Sequence, residues 1–189
     1  ALRHAAGQTV DQYREASAKL FARFAAVARD NPLATRRKGY SAEQIAEVNA
    51  ENPFVGFPYT KLMTASAFVD QSAAFIVVSE ARADELGIPQ DKRVYLHGEA
   101  HAHDTWFVSD RERLDQSPAM RLTSRAALAQ AGKTIADVDV FDIYSCFPSL
   151  VQIACKELGI SPDDKRGLTV TGGLPYFGGV STPHFKSNT

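Results

Sequence analysis

Cys146 is the residue whose type and position suggest chemistry most clearly. It follows a short apolar run at residues 138–143, which predicts a strand, and it precedes a helix-period segment that begins at Pro148. Ligands of α/β proteins bind beyond the carboxyl ends of strands, where such a junction lies. The free amides and the macrodipole of the next helix would draw the pKa of a thiol towards neutrality. The alternative is a small buried hydrophobic side chain, a common role of free cysteine.

Helices are predicted before and after this junction from apolar periodicity and capping residues. Residues 9–29 have helical spacing, with Thr9 and Gln12 in capping-box register, and Ser41 and Gln44 open a second, short helix. Three later helices are predicted from the residues that begin and close them: Ser79 and Gly87, Ser117 and Gly132, Pro148 and Gly159.

Strands alternate with the later helices, which indicates an α/β architecture. Four strands are predicted, at residues 73–78, 93–103, 138–143 and 168–171. The segment 49–60 contains two prolines and is predicted to be irregular. We place a domain boundary there, between a helical subdomain at residues 1–60 and an α/β domain at residues 61–189.

Composition argues against several classes of function. The 189 residues carry a formal net charge of −1, so no overall basic surface favours nucleic acid or an anionic membrane as a partner. No apolar run is long enough for a membrane span. The two cysteines, Cys146 and Cys155, do not make a secreted disulfide scaffold, so we expect a cytoplasmic location.

Three motifs, in this order along the chain, resemble those of thiolases. The run at residues 69–88 is similar to the segment that opens the C-terminal half of these enzymes. The run at residues 124–147 resembles the approach to their second catalytic loop. The pair Gly172-Gly173, followed by Gly178, is similar to their glycine-rich third loop.

The resemblance is strongest to the sterol-carrier-protein-type, or acetyl-CoA acetyltransferase-like, branch of the thiolase superfamily. In that branch a phenylalanine follows the cysteine of the second loop, as Phe147 follows Cys146 here. The resemblance implies a thiolase-like layered α/β half, in which helices cover the faces of a mixed sheet. Residues 1–52 would then correspond to the small helical loop subdomain of the family.

The resemblance implies Claisen chemistry on acyl-coenzyme A thioesters, either condensation or thiolytic cleavage of a 3-ketoacyl-CoA. One cysteine attacks the substrate, and a second group gives a proton to the departing enolate carbon. By position Cys146 is that second group, and coenzyme A is a substrate with no separate cofactor implied. The glycine loop would line the substrate site through four residues: Gly172, Gly173, Gly178 and Gly179.

The sequence departs from the family pattern in three places. Tyr144 stands where the branch has a histidine, and a phenol, with a pKa near 10, is a reluctant base at neutral pH. Gly179 and Val180 stand where the third loop has histidine and proline, although His184 could be imagined to replace that histidine. The nucleophilic cysteine of thiolases belongs to an N-terminal half that has no counterpart among these residues.

Basic residues near the subdomain boundary could contact coenzyme A. Arg36, Arg37 and Lys38 form one compact cluster, and Lys61 is a second candidate. The resemblance implies contact with the phosphates, whereas the alternative is a solvated turn.

Three histidines, His97, His101 and His103, would share one face of an unbroken strand, with Asp104 adjacent. Such a set could bind zinc. Similar thiolase-like chains carry Ala-His-Asp here with no metal role, so we predict no metal site. We expect His103 or Asp104 to line the acyl cavity instead.

Two alternative functions remain open from the sequence. One is a retro-aldol carbon–carbon lyase on acyl-CoA, in which Tyr144 transfers a proton and an OB-fold protein is the partner. The other is a non-catalytic acyl-CoA-binding or assembly module. For the acyltransferase, we expect the chain either to be a piece of a longer polypeptide or to depend on a partner, which would be a second copy in a homo-oligomer or a complementary thiolase half.

Overall fold

The computed structural model describes residues 1–179 of the chain. Its α-helices are α1 (Leu2–Ala5), α2 (Val10–Asp30), α3 (Ala42–Ala46), α4 (Glu80–Glu85), α5 (Pro118–Gln130), α6 (Pro148–Leu158) and α7 (Gly173–Tyr176). The strands are β1 (Phe54–Gly56) and β2 (Tyr59–Thr60). Single turns of 3-10 helix lie at Lys61–Met63, Gln90–Lys92, Val108–Asp110 and Ile135–Asp137.

Helix α2 is the central element of the fold, and its predicted start is confirmed. The Gln12 amide donates to Thr9 Oγ1 over 3.2 Å, and the Thr9 amide donates to Gln12 Oε1 over 2.9 Å, which completes a capping box. The helix buries one apolar stripe, which includes Phe21 and Phe24, and it ends at Asp30, with Asn31 as its C-terminal cap. Long helical periodicity and a local cap therefore identified this element correctly.

Helix α3 and the chain that follows it form a tight unit against α2. Ser41 and Gln44 make the predicted capping box, and Ile45 is fully buried. The buried Asn52 side chain donates to the Glu47 carbonyl over 2.7 Å and accepts from the Leu62 amide over 2.9 Å. Asn52 thereby supplies partners to backbone groups that would otherwise be left without a hydrogen bond.

The prediction that residues 49–60 are irregular is wrong for their second half. Strands β1 and β2 form an antiparallel hairpin in which Phe54 is opposite Thr60 and Gly56 is opposite Tyr59. The two prolines are compatible with this pairing because Pro53 precedes β1 and Pro58 lies in the turn. The Thr60 hydroxyl donates to the Ile45 carbonyl over 2.7 Å, which joins the hairpin to α3.

The later helices confirm their predicted caps. Ser79 and Ser117 accept backbone hydrogen bonds at the starts of α4 and α5, and Gly159 ends α6 in the left-handed conformation, with φ of 71°. The Ser117 amide also donates to Glu157 Oε1 over 2.9 Å, so a buried carboxylate joins the start of α5 to the end of α6.

The four predicted strands are not paired within residues 1–179, where β1–β2 is the only hydrogen-bonded sheet. The third and fourth of these segments are joined by one backbone–backbone bond, from the Ile143 amide to the Leu168 carbonyl over 3.0 Å, and by side-chain bonds to the Asp142 carboxylate, the shortest from the Thr169 hydroxyl over 2.9 Å. Apolar side chains in the first two are exposed, with Phe75 at 87% and Val94 at 98%. Apolar content indicates that a segment is suited to a sheet, but it does not show which other segment could pair with it.

One hydrophobic core joins the two sides of the predicted boundary at residue 60. Phe21 and Phe24 of α2 belong to the same buried cluster as Val151, Leu168 and Tyr176. Their contacts cross the proposed boundary, and the division into two domains stays a prediction. Among the described residues, no helix combines the length and apolar character needed to cross a membrane.

The turn at Gly172-Gly173 brings α7 against α2. Both glycines have positive φ, 105° and 71° respectively. A Cβ at Gly172 would lie 2.4 Å from the Ala28 Cβ, and one at Gly173 would lie 2.5 Å from Phe24 Cδ1. Only glycine permits this approach, which also places Tyr176 in the core, where its hydroxyl donates to the Leu62 carbonyl over 2.9 Å.

We expect Gly173→Ala to destabilise the protein more than Gly132→Ala, by about 1–3 kcal/mol. The two glycines share a left-handed backbone, with φ of 71° and 63°, but nothing lies within 4 Å of a Cβ at Gly132. The difference between the variants therefore isolates the contact with α2 from backbone strain. Urea unfolding of both variants measures it, and equal losses of unfolding free energy would refute the close contact.

Candidate active site

Cys146 lies immediately before α6, where the sequence predicted it. Its side chain is buried, with 6% exposed, and its carbonyl accepts from the Ala65 amide over 3.1 Å. The other thiol, Cys155, is a member of the hydrophobic core and is 1% exposed. The two cysteines therefore have different surroundings, with Cys146 at a loop junction and Cys155 inside the core.

Burial dominates the acid–base behaviour of Cys146. Desolvation raises the pKa of its thiol, while hydrogen bonds from Tyr144 and from the backbone at Cys146 and Phe147 lower the pKa by a smaller amount. The expectation of a pKa drawn towards neutrality is corrected, because the polar groups at the helix start do not offset the loss of water. At neutral pH the side chain is a thiol, which can donate a proton.

Tyr144 is joined to Cys146 at this junction. Burial, followed by the nearby thiol, raises the pKa of Tyr144 to about 12. The phenol is therefore protonated at neutral pH and serves as a hydrogen-bond donor. This geometry brings the two predicted catalytic residues together.

Ser145 connects the cysteine loop (residues 144–147) to the glycine loop (residues 172–179), a contact that was not predicted from the sequence. The Ser145 side chain is buried, and its hydroxyl accepts from the Leu174 amide over 3.0 Å. A Cβ at Gly173 would lie only 2.6 Å from the same hydroxyl oxygen. The position of Ser145 between Tyr144 and Cys146 was a possible signal, since alternation turns it away from both of them.

Residues 65–66 make a second connection between the cysteine loop and the glycine loop. The Ser66 amide donates to the Leu174 carbonyl, and the Gly179 amide donates to the Ser66 carbonyl, each over 3.1 Å. With the bond from Ala65 to Cys146, the chain at residues 65–66 touches both loops. No local pattern marked this segment, because its partners are far away in sequence.

The predicted glycines pack closely against neighbouring elements. A Cβ at Gly178 would lie 2.5 Å from Val69 Cγ1, and one at Gly179 would lie 2.8 Å from Leu174 Cδ2. Together with Gly172 and Gly173, they form a loop whose backbone can approach other groups. Their contact with substrate stays a prediction, and Val180 and His184 lie outside the described residues.

Three of the four basic residues predicted to contact coenzyme A line one groove of about 320 Å³. Arg36 and Lys61 face it together with Lys38, while two carboxylates, Glu47 and Glu51, also line it. Arg36 donates to the Pro175 carbonyl over 3.2 Å, which joins the groove to α7. The groove therefore lies beside the helix that follows the paired glycines.

Arg37 and His103 have other neighbours. Arg37 is exposed and donates to the Arg29 carbonyl over 3.4 Å. The exposed His103 ring lies 2.9 Å from His101, measured between their Nε2 atoms, and packs beside Trp106. Their roles in substrate binding stay predictions.

Asp104 has a structural role instead. It accepts from the Ser117 hydroxyl and from the Ala119 amide, the latter over 2.9 Å, at the start of α5. Within residues 1–179 no group of three or more potential metal ligands is close enough to hold an ion.

Comparisons with known proteins agree with this arrangement. Residues 100–182 match the family described as "Thiolase C-terminal domain-like". A probable acetyl-CoA acetyltransferase from Mycolicibacterium smegmatis is 30% identical over 99 residues, 52% of this chain and 23% of the relative. A 3-ketoacyl-CoA thiolase from Pseudoalteromonas translucida is 32% identical over 115 residues, 61% of this chain and 27% of the relative.

A solved structure covers almost all of the chain. The monomeric SCP2-thiolase like protein type 1 from Mycobacterium smegmatis superposes with a TM-score of 0.84 and 38% sequence identity. The match covers 95% of this chain and 39% of that protein, and the chain spans about a quarter of the two curated relatives. The fold is thus the α/β fold of these proteins, and residues 100–182 of the chain are similar to the C-terminal domain of thiolases.

Proposed function

We propose that this chain forms part of a thiolase-type acyltransferase that acts on 3-ketoacyl-CoA. The observation that supports this most directly is the joining of the cysteine loop to the glycine loop through Ser145 and Leu174. The match of residues 100–182 to the thiolase C-terminal domain-like family supports the same reaction class, as do relatives named as a 3-ketoacyl-CoA thiolase and a probable acetyl-CoA acetyltransferase. We further propose a cytoplasmic location, as the sequence suggested.

In the proposed cleavage Cys146 acts as an acid. A nucleophilic thiolate attacks the keto carbon, and the bond between C2 and C3 breaks with its electron pair passing to C2. The Cys146 thiol gives its proton to that carbon, which releases acetyl-CoA from a substrate unbranched at C2. The thiol of a second coenzyme A then returns a proton to Cys146 and takes the acyl group from the nucleophile, which releases the shortened acyl-CoA. A raised pKa suits the first of these proton transfers, because the group must carry its proton when the enolate forms.

The nucleophile of this reaction would come from a complementary thiolase half. The apolar side chains exposed on the first two unpaired segments, which include Phe75, Ile76, Val94 and Leu96, support an association of this kind. Whether that half is joined covalently or is a separate chain makes no difference to the role of Cys146.

The Arg36–Lys61 groove is the proposed contact for the phosphates of coenzyme A. Its three cations, Arg36, Lys38 and Lys61, outnumber the two carboxylates, Glu47 and Glu51. Arg36 is half-buried and held by the Pro175 carbonyl, so less side-chain entropy is lost when it binds an anion. The adjacent α7 connects this charge to the glycine loop.

Loss of Cys146 should slow turnover strongly in the complete polypeptide or complex that contains this chain. We expect Cys146→Ala to lower kcat for thiolysis of a 3-ketoacyl-CoA by about 10²–10⁴-fold, because a positioned acid contributes that much. Cys155→Ala is the matched control, since it removes the other thiol from the core. Steady-state thiolysis measures the effect, and equal losses in the two variants would contradict the assignment.

The same assay distinguishes the retro-aldol alternative. Cleavage of a 3-hydroxyacyl-CoA that disappears in Tyr144→Phe and persists in Cys146→Ala would favour the lyase. Coenzyme A binding without either reaction would favour a binding module.

Alkylation of Cys146 tests the direction of its pKa shift in the chain itself. In a Cys155→Ala background Cys146 is the only thiol, and we expect its rate with iodoacetamide to reach half-maximum above pH 9.0, the ordinary value. Adding Tyr144→Phe removes a hydrogen bond that lowers the pKa, so the midpoint should rise further. A midpoint below the ordinary value would show that the helix start outweighs burial.

Coenzyme A binding should depend on the Arg36–Lys61 groove. We expect the double variant Arg36→Gln, Lys61→Gln to bind coenzyme A at least about tenfold more weakly, because each charged hydrogen bond contributes about 1.5–3 kcal/mol. Pantetheine, which lacks the phosphates, should bind the variant and the original chain equally in isothermal titration calorimetry. Lys92→Gln provides an exposed-cation control, and an unchanged affinity in the double variant would locate the phosphates elsewhere.

A further inference from the structure

A larger groove lies between α5 and the end of α6, and its lining differs from that of the candidate active site. It has a volume of about 530 Å³ and shares no lining residue with the Arg36–Lys61 groove. Small-molecule sites in proteins occupy roughly 300–1,000 Å³, so the volume suits a small ligand. We refer to it as the α5–α6 groove.

The α5–α6 groove combines an apolar floor with a basic rim. Arg121, Arg125 and Leu128 are three or four positions apart on α5, so they lie along one face of the helix. Ile135 and Leu158 continue the apolar lining from the next turn and from the end of α6. A ligand in this groove would therefore meet hydrocarbon and cationic groups side by side.

The cations of the rim are neutralised unequally. Arg121 lies 3.6 Å from the Glu157 carboxylate, which is also held by the Ser117 amide. Lys156 lies 2.9 Å from Asp115, which is also paired with Arg113. These two cations are already matched to buried carboxylates of the protein.

Arg125 and Lys133 form no salt bridge within the described part of the chain. Arg125 is exposed near the middle of α5, and Lys133 is exposed just beyond its end. Lys133 contributes to lowering the pKa of Asp137, but the Asp137 carboxylate is held by the Thr134 amide and hydroxyl. The groove consequently has a surplus of positive charge beside its apolar floor.

We propose that the α5–α6 groove binds a single-chain amphipathic anion, with a phosphate or carboxylate head on an aliphatic chain. Arg125 and Lys133 would hold the head, and Leu128, Ile135 and Leu158 would cover the chain. This site is independent of the proposed acyltransfer chemistry, because none of these residues lies in the cysteine loop, the glycine loop or the Arg36–Lys61 groove.

Calorimetric titration of the full chain with octyl phosphate tests the proposal. We expect octyl phosphate to bind at least about tenfold more tightly than either inorganic phosphate or octanol, because only octyl phosphate meets both parts of the groove. Arg125→Gln should weaken this binding by about tenfold or more, and adding Lys133→Gln should remove measurable binding. Phosphatidic acid vesicles give the same head group in a bilayer, and they should bind more weakly than the free single chain.

Control variants distinguish this groove from the coenzyme site. Lys92→Gln removes an exposed cation elsewhere and should leave octyl phosphate binding unchanged, as should the Arg36→Gln, Lys61→Gln pair. The Arg125→Gln, Lys133→Gln pair should retain the affinity for coenzyme A and the unfolding midpoint of the original chain. The proposal would be overturned by an absence of octyl phosphate binding, by an affinity in the Arg125→Gln, Lys133→Gln pair equal to that of the original chain, or by tighter binding of the chain to the vesicles than to octyl phosphate.

Discussion

The close approach of Gly173 to helix α2 is the constraint on which the site depends. A side chain at this position would meet Phe24 on one side and the Ser145 hydroxyl on the other. Because glycine has no side chain, the turn allows α7 to pack on α2 and the Leu174 amide to donate to Ser145. This contact holds the glycine loop beside Cys146. The same turn delivers Tyr176 to the core, so packing and site geometry have one origin.

Burial and polar contacts shift the pKa of the Cys146 thiol in opposite directions, and burial has the larger effect. The start of α6 offers the sulfur hydrogen bonds that favour a thiolate, as its sequence position implied. The surrounding protein removes water from the same atom, and the loss of solvation favours the neutral thiol. The residue therefore keeps its proton and can act as a proton donor, whereas a nucleophilic cysteine must be a thiolate.

Much of the fold was predictable where the signals were local. The caps of α2, α3, α4 and α5 and the glycine that ends α6 were all identified from residues within a few positions of the helix ends. The β1–β2 hairpin and the state of the four apolar segments were not predictable in the same way. A strand is defined by the strand with which it pairs. The sequences of residues 73–78 and 93–103 indicate a propensity for extended structure, but they do not indicate a partner.

The sequence by itself determined helices α2 to α6 and the presence of a thiol between a short apolar run and a helix, whereas α1 and α7 were not predicted. The predicted features depend on backbone conformation and periodicity, which neighbouring residues set. Only the tertiary structure decided that Ser145 and Ser66 hold the glycine loop, that Arg36 and Lys61 share a groove while Arg37 does not, and that burial raises the pKa of Cys146. The physical reason is that hydrogen-bond partners and desolvation come from atoms far away along the chain, which no local pattern records.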